Sequence, residues 1–242
     1  MKRKRNLFFG RKYSMKVKLI SYSRPSRQIA SEGLYDMQEL IAFCARVSNP
    51  SNQFNTETSE KLIKYLIKNK HWSPVEMVSA CVDIETTRDI ARQILRHRSF
   101  SFQEFSQRYA DPTAELNEAF VLREARLQDT KNRQNSIEID LQNDDQRRIA
   151  YQWEQQQKLV IEAAKNAYSW AVDHGIAKEQ ARAVLPEGNT ISRMYMNGTL
   201  RSWIHYIELR AENGTQKEHR DIAKAIGQII AEVFPLADEI VK

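Results

Sequence analysis

Arg92, Arg96, Arg98 and Arg108 fall within eighteen residues, RQILRHRSFSFQEFSQRY, interleaved with Phe100, Phe102, Phe105, three serines, His97 and Tyr109. Guanidinium forks pair bidentately with phosphate, and their charge does not titrate near neutral pH. Aromatic rings offer faces for a flat ligand to stack on. Ser99, Ser101, Ser106, Gln103 and Gln107 can read the polar edge of such a ring. The composition suits a ligand made of a base and a phosphate. Two other readings share it: a nucleic-acid surface, and a solvated face on which the arginines pair with Glu85, Asp89 and Glu104.

Other chemistries lack their residues. No two of the seven glycines lie within a GxG, so the chain has neither a phosphate loop nor a dinucleotide fingerprint. There is no GxSxG elbow. The five histidines, His71, His97, His174, His205 and His219, include no pair at close metal-ligand spacing, so no metal site is expected. Any bound phosphate must be held by side chains. Cys44 and Cys81 make no disulfide framework; both sit in apolar patterns and are expected to be buried thiols of a reduced, cytoplasmic protein.

The elements that must position these residues follow from periodicity. MKVKLISYS alternates as a strand, as do Val78, Ala80, Val82 and Ile84 against Ser79, Cys81, Asp83 and Glu85. LYDMQELIAFCARVS and SEKLIKYLIKNK repeat at helical spacing, the second with Thr58 or Ser59 available as its cap. TTRDIARQILRHR reads as a helix with Arg88, Arg92 and Arg96 along one side, and SFSF as an extended link. Residues 111–145 are polar and weakly periodic, a loop or insertion with at most a little helix. A long helix is expected from about Asp145 to His174, stopped by Gly175. A short helix ends at Pro186, ISRMYMNG forms a strand and turn, and two helices close the chain, the first capped by Thr199. Few strands and many helices predict an α+β domain. His174 reads as a helix C-terminal charge and His219 as a solvated helix residue, with Trp203 and Tyr206 in a core or interface.

The net charge of +6 is confined to the first fourteen residues, where Lys2, Arg3, Lys4, Arg5, Arg11 and Lys12 meet no acid; from Met15 onward 31 basic residues face 31 acidic ones. A nucleic-acid-binding domain carries its electrostatic footprint on its folded part. The balance argues against that class and predicts a basic disordered extension over 1–14 ahead of a domain over 15–242. No apolar run approaches the roughly 18–20 residues that span a bilayer.

The order of residues narrows the choice further. Arg96-His97-Arg98, seven residues and Ser106 resemble the signature of the flavin-dependent thymidylate synthases. KHWSPVE at Lys70–Glu76, QARAVLP at Gln180–Pro186 and GTLRSWIHYIELRAENGTQKE resemble further motifs of that family in the same order. The resemblance implies an α+β fold particular to the family, with an antiparallel sheet packed on several helices rather than a Rossmann fold, in a homotetramer with active sites shared between subunits. It implies reductive methylation of dUMP to dTMP, with methylenetetrahydrofolate as one-carbon donor and NADPH-reduced FAD as hydride source.

By position, the resemblance assigns His71, Arg96, His97, Arg98, Thr199, Arg201 and His205 to FAD. It assigns Gln93, Arg96, Glu104, Phe105, Ser106, Gln107, Arg108, Arg182 and Arg210 to dUMP, with Arg182 reaching the nucleotide of another subunit. Arg210 is the catalytic candidate, a fixed cation against the uracil ring that makes carbon 5 a better nucleophile without a covalent thiol. Ser106 is expected to position the nucleotide rather than attack it. The family often has asparagine where this chain has His205, and histidine where it has Gly214. A non-catalytic nucleotide-binding protein on the same fold is the alternative, along with a nucleic-acid-binding one.

Overall fold

The computed structural model describes residues 14–116 and 118–237. In chain order the elements are β1 (Lys16–Tyr22), α1 (Arg27–Ser31), α2 (Met37–Ala45), α3 (Ser59–Lys68), β2 (Ser79–Thr87), α4 (Arg88–Ile94), β3 (Ser101–Glu104), α5 (Pro112–Glu115), β4 (Arg126–Gln128), β5 (Ser136–Glu138), α6 (Asp144–Asp173), α7 (Lys178–Ala181), β6 (Ile191–Thr199), α8 (Leu200–Arg210) and α9 (Lys217–Val233). Four strands form one sheet in the order β1-β2-β6-β3, and β4 pairs with β5 in an antiparallel hairpin. Backbone bonds place the end of one strand beside the start of its neighbour: Ser23 N–H to Ser79 C=O, Leu200 N–H to Val78 C=O, and Phe105 N–H to Arg193 C=O. That is antiparallel pairing, so the chain is the mixed α+β molecule that the periodicity predicts. The basic extension falls, apart from Ser14, outside the described residues.

Two compact units partition the described chain, the first holding residues 85–92 and 104–193, the second residues 16–84, 93–103 and 194–237. In the first, Ala119, Phe120, Tyr168, Ala171, Ala181 and Leu185 make the core, with Ile161 and Val172 packed on it. Burying Phe120 contributes roughly 1.5–3 kcal/mol. The polar stretch 111–145 is therefore not loop throughout: it carries α5, the β4–β5 hairpin, and a buried run from Ala119 to Leu122. Arg123 pins that run. Its Nη2 donates to Thr87 Oγ1 at 2.6 Å and Asp89 Oδ1 at 2.6 Å, and its Nε to Gly188 C=O at 3.0 Å. Helix α6 ends as its sequence predicts. Gly175 takes φ +78, and the amides of Gly175 and Ile176 return to the carbonyls of Val172 and Ala171, a Schellman closure.

The second unit packs α2 on α3, α8 on α9, and α9 on β1. Ile222, Ile226 and Ile230 lie one turn apart on α9 and are buried with Trp203, whose Nε1–H donates to Ala80 C=O at 3.0 Å. Asp36 and Glu39 close a capping box on α2. Thr58 occupies the N-cap of α3 but makes no side-chain capping bond. That helix ends in the same Schellman closure as α6, with Lys70 at φ +59 where glycine is usual. An L side chain there is strained by about 1 kcal/mol.

Four local expectations change. Helix α4 begins at Arg88 because β2 runs on through Thr87, and it ends at Ile94, short of Arg96; of SFSF, only Ser101 and Phe102 enter strand β3, while Ser99 and Phe100 lie in the turn before it. Cys44 and Cys81 are half-buried rather than buried. His219 is the largest change: it is 0% exposed, because its face of α9 turns towards Tyr206.

Candidate active site

In the first unit a cavity of about 240 Å³ is lined by Arg88, Arg92, Gln107, Arg182, Ala183, Leu185 and Glu187. It brings together two expected nucleotide contacts, Gln107 and Arg182, from segments 75 residues apart in sequence. Gln107 is 3% exposed, and its Nε2 has no hydrogen-bond partner among the described residues. A buried amide donor left unpaired costs about 1–3 kcal/mol, so this wall is built for an acceptor. Arg92 holds Glu187 bidentately, its Nε 2.8 Å from both carboxylate oxygens, which raises the guanidinium's already high pKa. Arg88 and Ser192 together fix Glu104, at 3.5 Å and 2.7 Å from its Oε1.

The other expected contacts of this unit are less enclosed. Phe105 is tied by its amide to Arg193 C=O at 2.8 Å. Ser106 is exposed, and its carbonyl accepts from the amides of Tyr109 and Ala110, so the segment turns there. No imidazole or carboxylate bonds the Ser106 hydroxyl among the described residues. Arg108 is exposed beside Glu179 at 3.5 Å. Arg88 and Arg92 were legible only as a row of basic residues; Glu187, the partner of Arg92, lies 95 residues away.

In the second unit Arg96-His97-Arg98 lie in the turn that follows α4. The two arginines face solvent and His97 turns inward. Neither Arg96 nor Arg98 has an ion-pair partner among the described residues. Arg210, at the end of α8, donates from Nε to His97 Nε2 at 2.9 Å. It pairs with neither Glu208 nor Glu212, so its Nη groups remain for a ligand. The His97 ring is also edge-on to Tyr206 at 4.8 Å. Burial, then Arg210 and Arg96, push the His97 pKa down to about 4. The imidazole is neutral at pH 7 and can accept the Arg210 bond, which leaves its own proton on Nδ1.

One face of α8 meets the segment before β2. Arg201 donates from Nη1 to Glu76 Oε1 at 2.6 Å, while its Nε is buried without a partner among the described residues. His205, one turn on, lies edge-on to Trp72 with centroids 4.6 Å apart. His71 is exposed, edge-on to Tyr65 at 5.9 Å. Thr199 caps α8 through a 3.4 Å bond to the Ser202 amide, and Ser202 Oγ donates to Ser99 C=O at 3.1 Å, anchoring the loop after Arg98. Gln93 bonds Gln216 and His219, two partners on α9 and its approach that sequence order did not suggest. A side chain at Gly214 would meet open space.

The family model described as thymidylate synthase complementing protein matches residues 32–236. A flavin-dependent thymidylate synthase of Synechocystis is 48% identical over 222 residues, covering 91% of this chain and 96% of the relative. A probable flavin-dependent thymidylate synthase of Paramecium bursaria Chlorella virus 1 is 47% identical over 221 residues, with the same coverage. Among solved structures, the UMP/dUMP methylase PolB from Streptomyces cacaoi, bound with 5-Br dUMP, shares the fold with a TM-score of 0.77 at 23% identity, covering 96% of each chain. The chain belongs to the thymidylate synthase complementing protein family, that of the flavin-dependent thymidylate synthases.

Proposed function

We propose how this chain's residues divide the work of that family. The chain is a flavin-dependent thymidylate synthase: it converts dUMP to dTMP with methylenetetrahydrofolate, FAD and NADPH. The observation that carries the division of work is a set of guanidiniums without carboxylate partners among the described residues, Arg96, Arg98 and Arg210, beside an orphaned donor on Arg201. Such groups fit the pyrophosphate of FAD, and His71 and His205 flank the same unit with aromatic edges. Arg96, His97, Arg98, Thr199, Arg201, His205 and His71 would hold the cofactor. When bound, FAD supplies the hydride that completes the methyl group, and NADPH restores it.

Arg210 acts on the nucleotide. Its Nε is aligned by neutral His97, so a fixed cation with free Nη donors faces the uracil. Negative charge on the ring is stabilised there, which makes carbon 5 nucleophilic. The thiols take no part: burial raises the pKa of Cys44, and burial with Asp83 raises that of Cys81, so both stay protonated. The cavity with Gln107 and Arg182 takes the dUMP phosphate, with Glu104, Phe105, Ser106 and Arg108 completing the cradle and Ser106 positioning the nucleotide. Arg88 and Arg92 shape that cavity while holding their own carboxylates.

The assembly is a homotetramer with shared active sites in the cytoplasm. Tyr151, Trp153, Leu159, Val160 and Trp170 all point outward from α6, more apolar surface than a solvated helix carries. Among the described residues no helix is long and apolar enough to cross a membrane.

The test is a visible spectrum of the FAD-loaded protein without oxygen. The flavin band should bleach with NADPH and return only when dUMP and methylenetetrahydrofolate are both added. A protein that retains no flavin would overturn the assignment.

A further inference from the structure

Five side chains of the second unit form one hydrogen-bonded row. Tyr206 Oη lies 3.0 Å from His219 Nε2, and His219 Nδ1 lies 3.3 Å from Gln93 Oε1. Gln93 Nε2 donates to Gln216 Oε1 at 2.8 Å, and Gln216 Nε2 to Glu218 Oε2 at 3.0 Å. Tyr206, His219 and Glu218 are 1%, 0% and 5% exposed. An amide or a neutral imidazole offers a donor on one side and an acceptor on the other, so a row of them can run in either direction. The direction must come from a group that cannot reverse.

Glu218 is that group. It lies in the first turn of α9, where the helix dipole favours an ionised carboxylate, and a carboxylate only accepts. Gln216 must turn its NH2 to Glu218 and its oxygen to Gln93. Gln93 must then meet it with NH2, leaving Oε1 towards His219. His219 must donate from Nδ1–H, so its Nε2 accepts from the Tyr206 hydroxyl. Burial, with Arg210 and His97 nearby, pushes the His219 pKa down to about 3, so the ring carries one proton at neutral pH. Reversing any link would set two donors or two acceptors face to face in a buried place, at a cost of about 1–3 kcal/mol.

We propose that Glu218, Gln216 and His219 are positioning residues that fix the direction of the Gln93 amide and thereby select uracil over cytosine. This rests on the reading of Gln93 as a dUMP contact. The row uses one N–H and one oxygen lone pair of Gln93, leaving one donor and one acceptor. Uracil presents N3–H beside C4=O, while cytosine presents a bare N3 beside an amino group. The two edges call for opposite amide directions, and an amide locked in one direction suits only one of them.

The experiment uses the full chain loaded with FAD. With [15N]histidine, NMR should show His219 in the Nδ1–H form; the Nε2–H form would overturn the row. Affinities for dUMP and dCMP are then compared in wild type and Glu218→Gln, whose side chain can present either end to Gln216. The preference for dUMP should fall about tenfold, the equivalent of about 1.4 kcal/mol or one misdirected hydrogen bond. A flavin-loaded variant with an unchanged dUMP/dCMP ratio would overturn the selection, and a general loss of packing would weaken both ligands together. If Glu218→Gln does not fold, the tautomer in the wild-type protein decides. Gln93→Ala with unchanged dUMP affinity would remove Gln93 from the nucleotide site and end the specificity claim, whereas an Nε2–H His219 would end the row and leave the Gln93 contact standing.

Discussion

Replacing Gly198 by alanine asks a single aromatic ring to move. An added Cβ would lie 2.6 Å from Phe100 Cε1 and 3.3 Å from Cγ, with Cδ1 also in conflict. The ring has little room to yield, since Trp203 is 4.7 Å away and Tyr206 5.8 Å, centroid to centroid. Overpacking of this kind costs about 1–3 kcal/mol. For a chain of this length that is a fall of about 2–12 °C in melting temperature. Phe100 follows Ser99, whose carbonyl is held by Ser202, so displacing the ring drags the loop that carries Arg98. Flavin retention after desalting should fall with stability. Thermal unfolding followed by circular dichroism, with flavin absorbance on the same samples, measures both. Adding Phe100→Leu should recover part of the loss, because the two substitutions share one contact. A Gly198→Ala protein that melts within 1 °C of wild type (about 0.3 kcal/mol) and keeps its flavin would refute the close-approach argument.

Lys70→Gly should raise the urea midpoint, with about 0.5–1 kcal/mol gained where the left-handed backbone is relieved; an unchanged midpoint would mean that no strain is stored there. Arg182→Ala should raise the KM for dUMP about ten- to a hundredfold, the loss of one charged hydrogen bond, with bound flavin unaltered; a normal KM would remove Arg182 from the phosphate site. Acid should destabilise the protein through His219 and, more weakly, half-exposed His97. Both have folded-state pKa values below the ordinary 6.5, at about 3 and about 4, so between those limits the unfolded chain binds the extra proton. Their contribution is complete above about pH 6.5 and is lost as pH falls, by up to about 1.4 kcal/mol per unit for His219; urea titrations of wild type and His219→Gln should diverge there, and parallel curves would contradict it. Cys44→Ser with Cys81→Ser should leave turnover near wild type, and abolished turnover in a folded double variant would restore a thiol to the mechanism.

What could be read in the sequence was what repeats or punctuates locally. The alternation of β2, the isoleucine stripe of α9 and the Gly175 stop were all legible, because each depends on neighbours within a few residues. The family signature was legible for the same reason, since order along the chain survives without coordinates. His219 was misread because helical spacing alone does not say which face of α9 meets α8. Glu187 beside Arg92, Arg123 clasping Asp89, and Glu76 beside Arg201 join segments 34 to 125 residues apart. No local pattern announces such pairs. Lys70 hid the end of α3, since a lysine stands where glycine would have marked the turn.

Helix α6 has a consequence for how the protein lives in solution. Its thirty residues extend about 45 Å, with tryptophan, tyrosine and leucine side chains turned outward. In the tetramer proposed for this chain those side chains are covered by other copies, so association supplies part of the folding free energy. Stability then rises with protein concentration. Melting temperature would climb on concentrating the sample and drop on dilution. A cell making few copies would hold a more fragile enzyme than one making many, from the same sequence.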